Sequence, residues 1–420
     1  MDRTELYTRI LREELVPALG CTEPISLAYA ATACRELLGE ASCLIEASCS
    51  GNIIKNVMGV VIPNTNGMKG IETAVAVGVV GGDSSMGLEV LSKIGPEAVE
   101  IAAAMVRAGK VKVTLLPSKA NLHFILKMKS SLHEALVEVI HTHMNIVRKE
   151  LDGEKLLDIA YMEEGLPALT DRTTMTVKEI ISYCEQVDVS VLRPIIEPQI
   201  VYNSMICQEG LEKDWGARIG KSILEMGGDS LLSRMKATAA AGSDARMSGC
   251  VSPVVINSGS GNQGIAVSMP VVEYARSIGT DDETLIRALA MSNLIAIHQK
   301  SKIGRLSAYC GAVNAAVGAG AAITWLDHGT LNQINETVTN TLASISGMIC
   351  DGAKPSCAAK IALAVESAVI GHHMAMRGNR FEAGEGIVKD SVEATIDGVA
   401  AIASEGMHET DSKILSVMLR

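Results

Sequence analysis

Cys310, Cys350 and Cys357 are the residues whose type and spacing first point to chemistry. Forty residues separate the first two, and seven separate the second pair, in SAYCGAVNAAVGAG and GMICDGAKPSCAAKIALA. Structural zinc takes two close pairs of ligands, whereas here the first thiol is a singleton and the second pair is wide. The stretch between Cys350 and Cys357 contains Gly352 and Pro355 and can form a loop returning to a helix start near Cys357. Two thiolates then face one centre, and a helix N-terminus favours their negative charge. Three protein thiolates, not four, leave one iron of a 4Fe-4S cluster open as a Lewis acid for an elimination. Small cysteines also pack cores rich in glycine and alanine, and ten cysteines offer many accidental triples.

A second site is Gly20-Cys21-Thr22-Glu23-Pro24, a thiol on a tight turn followed by a carboxylate and a proline. An ionised thiol serves as a base, with Glu23 tuning it or holding an ammonium group, although a neighbouring carboxylate raises the thiol pKa. The same residues also make an ordinary helix start, with Thr22 as cap and Pro24 in the first turn. A third element, Asn257-Ser258-Gly259-Ser260-Gly261-Asn262-Gln263-Gly264, offers backbone N–H groups to an anion: a substrate carboxylate or a phosphate. A simple interhelical turn accounts for it equally well. In the loop from Gly51 to Gly70, Lys55 and Asn56 are candidates to fix a carboxylate or amino group. His141 and His143 in HTHMNI would share one face of a strand, and His372 with His373 would cap a helix end; neither pair is assigned a role.

The elements that must position these residues follow from composition and periodicity. Hydrophobic residues make up 48% of the 420 and aromatics 3%, so the interior is built from small and aliphatic side chains that suit close helix contacts. The expected fold is α+β and predominantly helical, a small α+β domain plus a large helical domain carrying the cluster site. Residues 1–40 are expected as N-terminal helices with the GCTEP turn packing on the C-terminal domain, 41–170 as the small α+β domain, and 171–420 as the helical domain. The β-rich stretches are CLIEASCSGNI, KVKVTLLP, NLHFILKM and MNIVRKELDG, with helical patches near 68–80 and 93–108. TVKEIISYCEQVD reads as a capped helix, Glu209 to Ala240 as one long helical pattern, and Ala308 to Leu326 as a buried helix rather than a membrane span. A net charge of −11 without a basic block argues against a nucleic-acid partner. With no secretion signal, the protein is expected in the cytoplasm, where its cysteines are thiols, ligands or catalysts. Small-residue helical faces suit a homodimer.

Together, GCTEP, SGNIIKNVMGVVIPNTNG, SGSGNQG and the cysteine triple resemble the L-cysteine desulfidase family, also met as serine dehydratase alpha-chain-like proteins, over nearly the whole chain. The resemblance implies a 4Fe-4S enzyme converting L-cysteine to pyruvate, ammonia and hydrogen sulfide without pyridoxal phosphate. It implies Cys310, Cys350 and Cys357 as cluster ligands and Cys21, as thiolate, as base. Ser258, Gly259, Ser260, Gly261 and Asn262 would hold the substrate carboxylate. L-serine dehydratase with the same cluster is the nearest alternative. A pyridoxal-phosphate lyase using SGSGNQG, which needs a Schiff-base lysine, and a non-catalytic iron–sulfur sensor or carrier are the others.

Overall fold

The computed structural model describes residues 3–42, 44–163 and 170–420. Residues 164–169, leading into the boundary expected near residue 170, lie outside the described residues. Tyr7, Ile10 and Leu11 recur at helical spacing and are buried along one stripe of α1 (Arg3–Glu14). Pro17 opens a short strand, β1 (Pro17–Leu19), and Gly20 turns the chain at φ 61° into α2 (Thr22–Leu38). A Cβ at Gly20 would lie 2.3 Å from Pro63, so glycine is required there twice over.

Alternation of exposure along Leu44–Cys49 makes β2, which is followed by the short helix α3 (Gly51–Val57). The stretch from Gly51 to Gly70 is therefore not a loop throughout. Helices α4 (Ile71–Gly81) and α5 (Pro96–Arg107) then carry the chain across to β3 (Val111–Leu115), parallel to β2. Four antiparallel additions follow: β4 (His123–Lys129), β5 (Glu134–Ile140), β6 (Ile146–Leu151) and β7 (Glu154–Asp158). The sheet order is β3-β2-β4-β5-β6-β7. Helix α2 lies against β4, β5, β6 and α4, whereas α1 lies against the helical half. The β1 ribbon thus separates two helices with different partners. His141 and His143 also sit off any strand: Ile140 ends β5, and His141 at φ 67° starts the hairpin turn.

The remainder is helical: α6 (Val177–Gln186), α7 (Val189–Glu212), α8 (Ile219–Gly227) and α9 (Leu231–Met247) precede a short strand, β8 (Pro253–Val255). Then come α10 (Gly261–Ile278), α11 (Asp282–Ile303), α12 (Gly311–Leu326), α13 (Leu331–Ile345), α14 (Cys357–Met376), α15 (Val392–Ala401) and α16 (His408–Met418). Thr176 caps α6 through Glu179 N–H, as TVKEI predicts. The long pattern over Glu209–Ala240 is broken into three helices, because Gly216 and Gly228 turn with positive φ and Ser230 caps a new start. Small residues let these helices approach closely: a Cβ at Gly210 of α7 would meet Ala241 O of α9 at 2.0 Å. Helices α10, α11, α12 and α14 pack on one another around a core of Ala, Val, Ile and Leu. Among the described residues no helix is long and apolar enough to cross a membrane.

Candidate functional site

Two short antiparallel pairings bring distant candidates together. β1 pairs with β8, Leu19 opposite Pro253, which sets the Gly20–Glu23 turn beside the Asn257–Gly264 loop. Thr22 Oγ1 then donates to Gly259 O at 2.7 Å. The second pairing is the bridge between Tyr309 and Ile349. Cys310 N–H donates to Met348 O at 3.0 Å and Cys350 N–H to Ala308 O at 2.6 Å, so residues forty apart in sequence stand side by side. Between Cys350 and Cys357 the chain turns at Gly352, φ 92°, and enters α14 at Cys357. Lys360 Nζ donates to Ile349 O at 2.9 Å and Lys354 Nζ to Asp351 O at 3.2 Å, pinning this loop.

Cys310, Cys350, Cys357 and Cys21 line one cavity of about 760 Å³ including its mouth, a size suited to a small molecule. Four helices begin at its wall: Cys21 and Cys310 are the N-caps of α2 and α12, Ser260 caps α10, and Cys357 is the first residue of α14. Their aligned dipoles make the wall favourable to negative charge. Neither Cys21 nor Cys310 spends its side chain on a capping bond. The Cys21 thiol donates to Glu23 Oε2 at 3.0 Å, and Glu23 Oε1 accepts from Asn56 Nδ2 at 3.4 Å. Burial, and then the Glu23 carboxylate, push the Cys21 thiol well above its ordinary pKa, against the pull of Arg246. Both effects favour the neutral thiol over the thiolate.

Glu23, Asn56, Ser258, Gly259, Ser260 and Asn262 also line the cavity. Lys55 and Gly261 do not. Lys55 is 2% exposed, its ammonium is paired with Asp411 of α16, and it donates to Cys350 O at 3.5 Å, so it braces the cysteine loop from behind. Gly261 lies against the guanidinium of Arg246, where a Cβ would sit 2.3 Å from Nε. Three charged lining residues escaped the sequence reading, Arg246, Lys300 and Arg305, and His143, noted there without a role, lines the cavity too. His143 reaches in from the β5–β6 hairpin, its backbone O accepting from Ser26 Oγ, and its buried Nε2 has no partner. Lys300 lies in the last turn of α11, and burial holds its ammonium down at about 8 against the pull of Cys350 and Cys310. Arg246, Lys300 and Arg305 were each one charged residue in an unremarkable helix or turn, without a motif to mark it.

The donor set fits an iron–sulfur cluster. Among the described residues no group of three His, Cys, Asp or Glu side chains is arranged for a metal ion. A cluster places each thiolate on a different iron, so its ligands stand wider apart than those sharing one ion. The three donors are all sulfur. Burial, the charge of Cys350 and then that of Cys357 push Cys310 up to about 12, and Cys357 is likewise raised, first by burial. Thiols opposed in this way ionise readily only when a positively charged centre sits among them.

A predominantly helical α+β chain with a thiol-lined cavity where helix N-termini converge is the class that fold and site define. The chain belongs to the serine dehydratase alpha chain family, which matches residues 86–416. It is 49% identical to a UPF0597 protein of Lachnoclostridium phytofermentans over 98% of both chains. It is 47% identical to a UPF0597 protein of Treponema denticola, covering 100% of this chain and 99% of that one. A UPF0597 protein of Finegoldia magna is 48% identical over 98% of this chain and 99% of its own.

Proposed function

We propose that the chain is a cytoplasmic, iron–sulfur-dependent lyase that removes sulfide from L-cysteine by α,β-elimination, giving pyruvate, ammonia and hydrogen sulfide. The observation that carries this reading is the meeting of Cys310, Cys350 and Cys357 with Cys21 at one cavity. A 4Fe-4S cluster held by the three thiolates would supply a Lewis-acidic iron for the substrate's leaving group. The helix N-termini at Cys310 and Cys357 offset the negative charge gathered there. Cys21 passes its proton to Glu23 across the 3.0 Å bond between them, and the thiolate so formed takes up the Cα proton. The C–S bond breaks, sulfide departs, and 2-aminoacrylate tautomerises and hydrolyses in water without further help. Ser258, Gly259, Ser260 and Asn262 face the substrate carboxylate at the N-terminus of α10.

L-Serine is the second reading, supported by the serine dehydratase alpha chain family, with water leaving in place of sulfide. A non-catalytic sensor would leave the buried Cys21–Glu23 pair without a use. The test is anaerobic purification with iron and acid-labile sulfide analysis, repeated on Cys350→Ser, alongside product assays with both amino acids. Wild type is expected to hold about four irons per chain, with the variant losing most of them. Sulfide release from cysteine is expected to outpace pyruvate release from serine. Normal iron content in Cys350→Ser would remove the ligand assignment, and faster turnover of serine would favour the second reading.

A further inference from the structure

Arg246 ends α9 and is 2% exposed. Its Nη1 donates to Asn262 Oδ1 at 3.1 Å, and its buried Nε has no partner. Among the described residues no carboxylate pairs with it. A guanidinium stays charged in a protein, and a buried charge without a counter-ion is among the most costly features an interior can hold. An anion entering the cavity, which Arg246 lines, would balance that charge. Glu23 is already engaged by Cys21, Thr22 and Asn56. The cysteine triple has its own cations: Lys300 feels Cys350 and Cys310, and Lys360 feels Cys310 and Cys357. Arg246 instead acts on Cys21 and His143.

We infer that Arg246 anchors the α-carboxylate of the substrate and makes the site select α-amino acids over amines; that the ligand is an amino acid rests on the lyase reading above. The guanidinium, which lines the cavity, presents a planar set of donors matching a carboxylate's two oxygens. Gly261 carries no Cβ, so the first-turn N–H groups of α10 lie beside the same guanidinium. Asn262 holds the guanidinium in place from the same turn.

The test is calorimetric titration of the anaerobically purified protein with L-alanine, which has the carboxylate but no leaving group, and with ethylamine, its counterpart without the carboxylate. Wild type is expected to prefer L-alanine by roughly 100-fold, as charge-assisted hydrogen bonds would give. Arg246→Gln should bring the two within a few-fold of each other, leaving ethylamine affinity unchanged. Should that variant not fold, Arg246→Lys keeps the charge without the planar donor set, and should weaken L-alanine by about tenfold and ethylamine not at all. Three results overturn the inference: no L-alanine binding by wild type, an unchanged preference in the variants, or equal weakening of both ligands. A protein that binds L-alanine through Arg246 yet eliminates neither sulfide nor water keeps this anchor and loses the lyase reading.

Discussion

His143 is the clearest case of a single residue taken out of its ordinary state. Burial lowers its pKa to about 4, the Glu23 carboxylate opposes this, and the Arg305 and Arg246 guanidiniums add to it. The imidazole is therefore neutral at the cavity wall, with Nε2 unpartnered and the ring against Gly259. An unfolded chain takes up this proton near the ordinary value of 6.5, before the folded chain does. The stability linked to neutral His143 is thus complete above pH 6.5, declines as the pH falls, and is gone by about pH 4. A displacement of that size corresponds to about 3 kcal/mol. His143→Gln should flatten the acid limb of stability over this window, measured by urea unfolding at several pH values. An unchanged limb would place the acid sensitivity in other groups.

Among elements, α16 shows how a helix without a core is held. It buries none of its residues; Leu415 rests against Gly51 of α3, and the polar tie to that helix is the Lys55–Asp411 pair, with Asn52 Nδ2 donating to Asp411 Oδ2 at 3.4 Å. The Lys55 side chain is 1% exposed, so its ammonium depends on Asp411 for charge balance. Asp411→Asn should cost about 3 kcal/mol by leaving that charge buried and unpaired. Lys55→Met combined with Asp411→Leu should recover most of it, since removing both charges also removes their desolvation cost. Chemical denaturation of the single and double variants checks this, and equal losses in both would sink the account.

At the scale of the whole molecule, the cavity is where otherwise separate parts meet: the β1–β8 ribbon, the β5–β6 hairpin tip, and the starts of α2, α10, α12 and α14. The three proposed ligands tie α12 and α14 together through a loop held by an isolated bridge and by lysine side chains rather than by a sheet. Removing iron should therefore raise hydrogen exchange at residues 346–357 and in the first turns of α12 and α14. Strands β4 and β5, paired on both sides within the sheet, should keep their protection. Exchange measured before and after anaerobic chelation decides this, and uniform loosening would mean that the cluster supports the entire fold.

The helical character, the capped start at Thr176 and the loop from Cys350 to Cys357 were legible in the sequence, because each is set by neighbours a few residues away. β5 was not named among the strands, since EALVEVI is buried on nearly every residue and shows no alternation to read. The sequence also marked Cys21, Cys310, Cys350 and Cys357, since thiols are few and their spacing is visible. It misplaced Lys55, passed over Arg246 and Lys300, and left His143 without a role. Whether a lysine is a ligand contact or a buried brace depends on what packs across from it, here an aspartate more than 350 residues away. Only the tertiary structure, by pairing β1 with β8 and Tyr309 with Ile349, decided which charges face the cavity and that, among the described residues, no carboxylate pairs with Arg246.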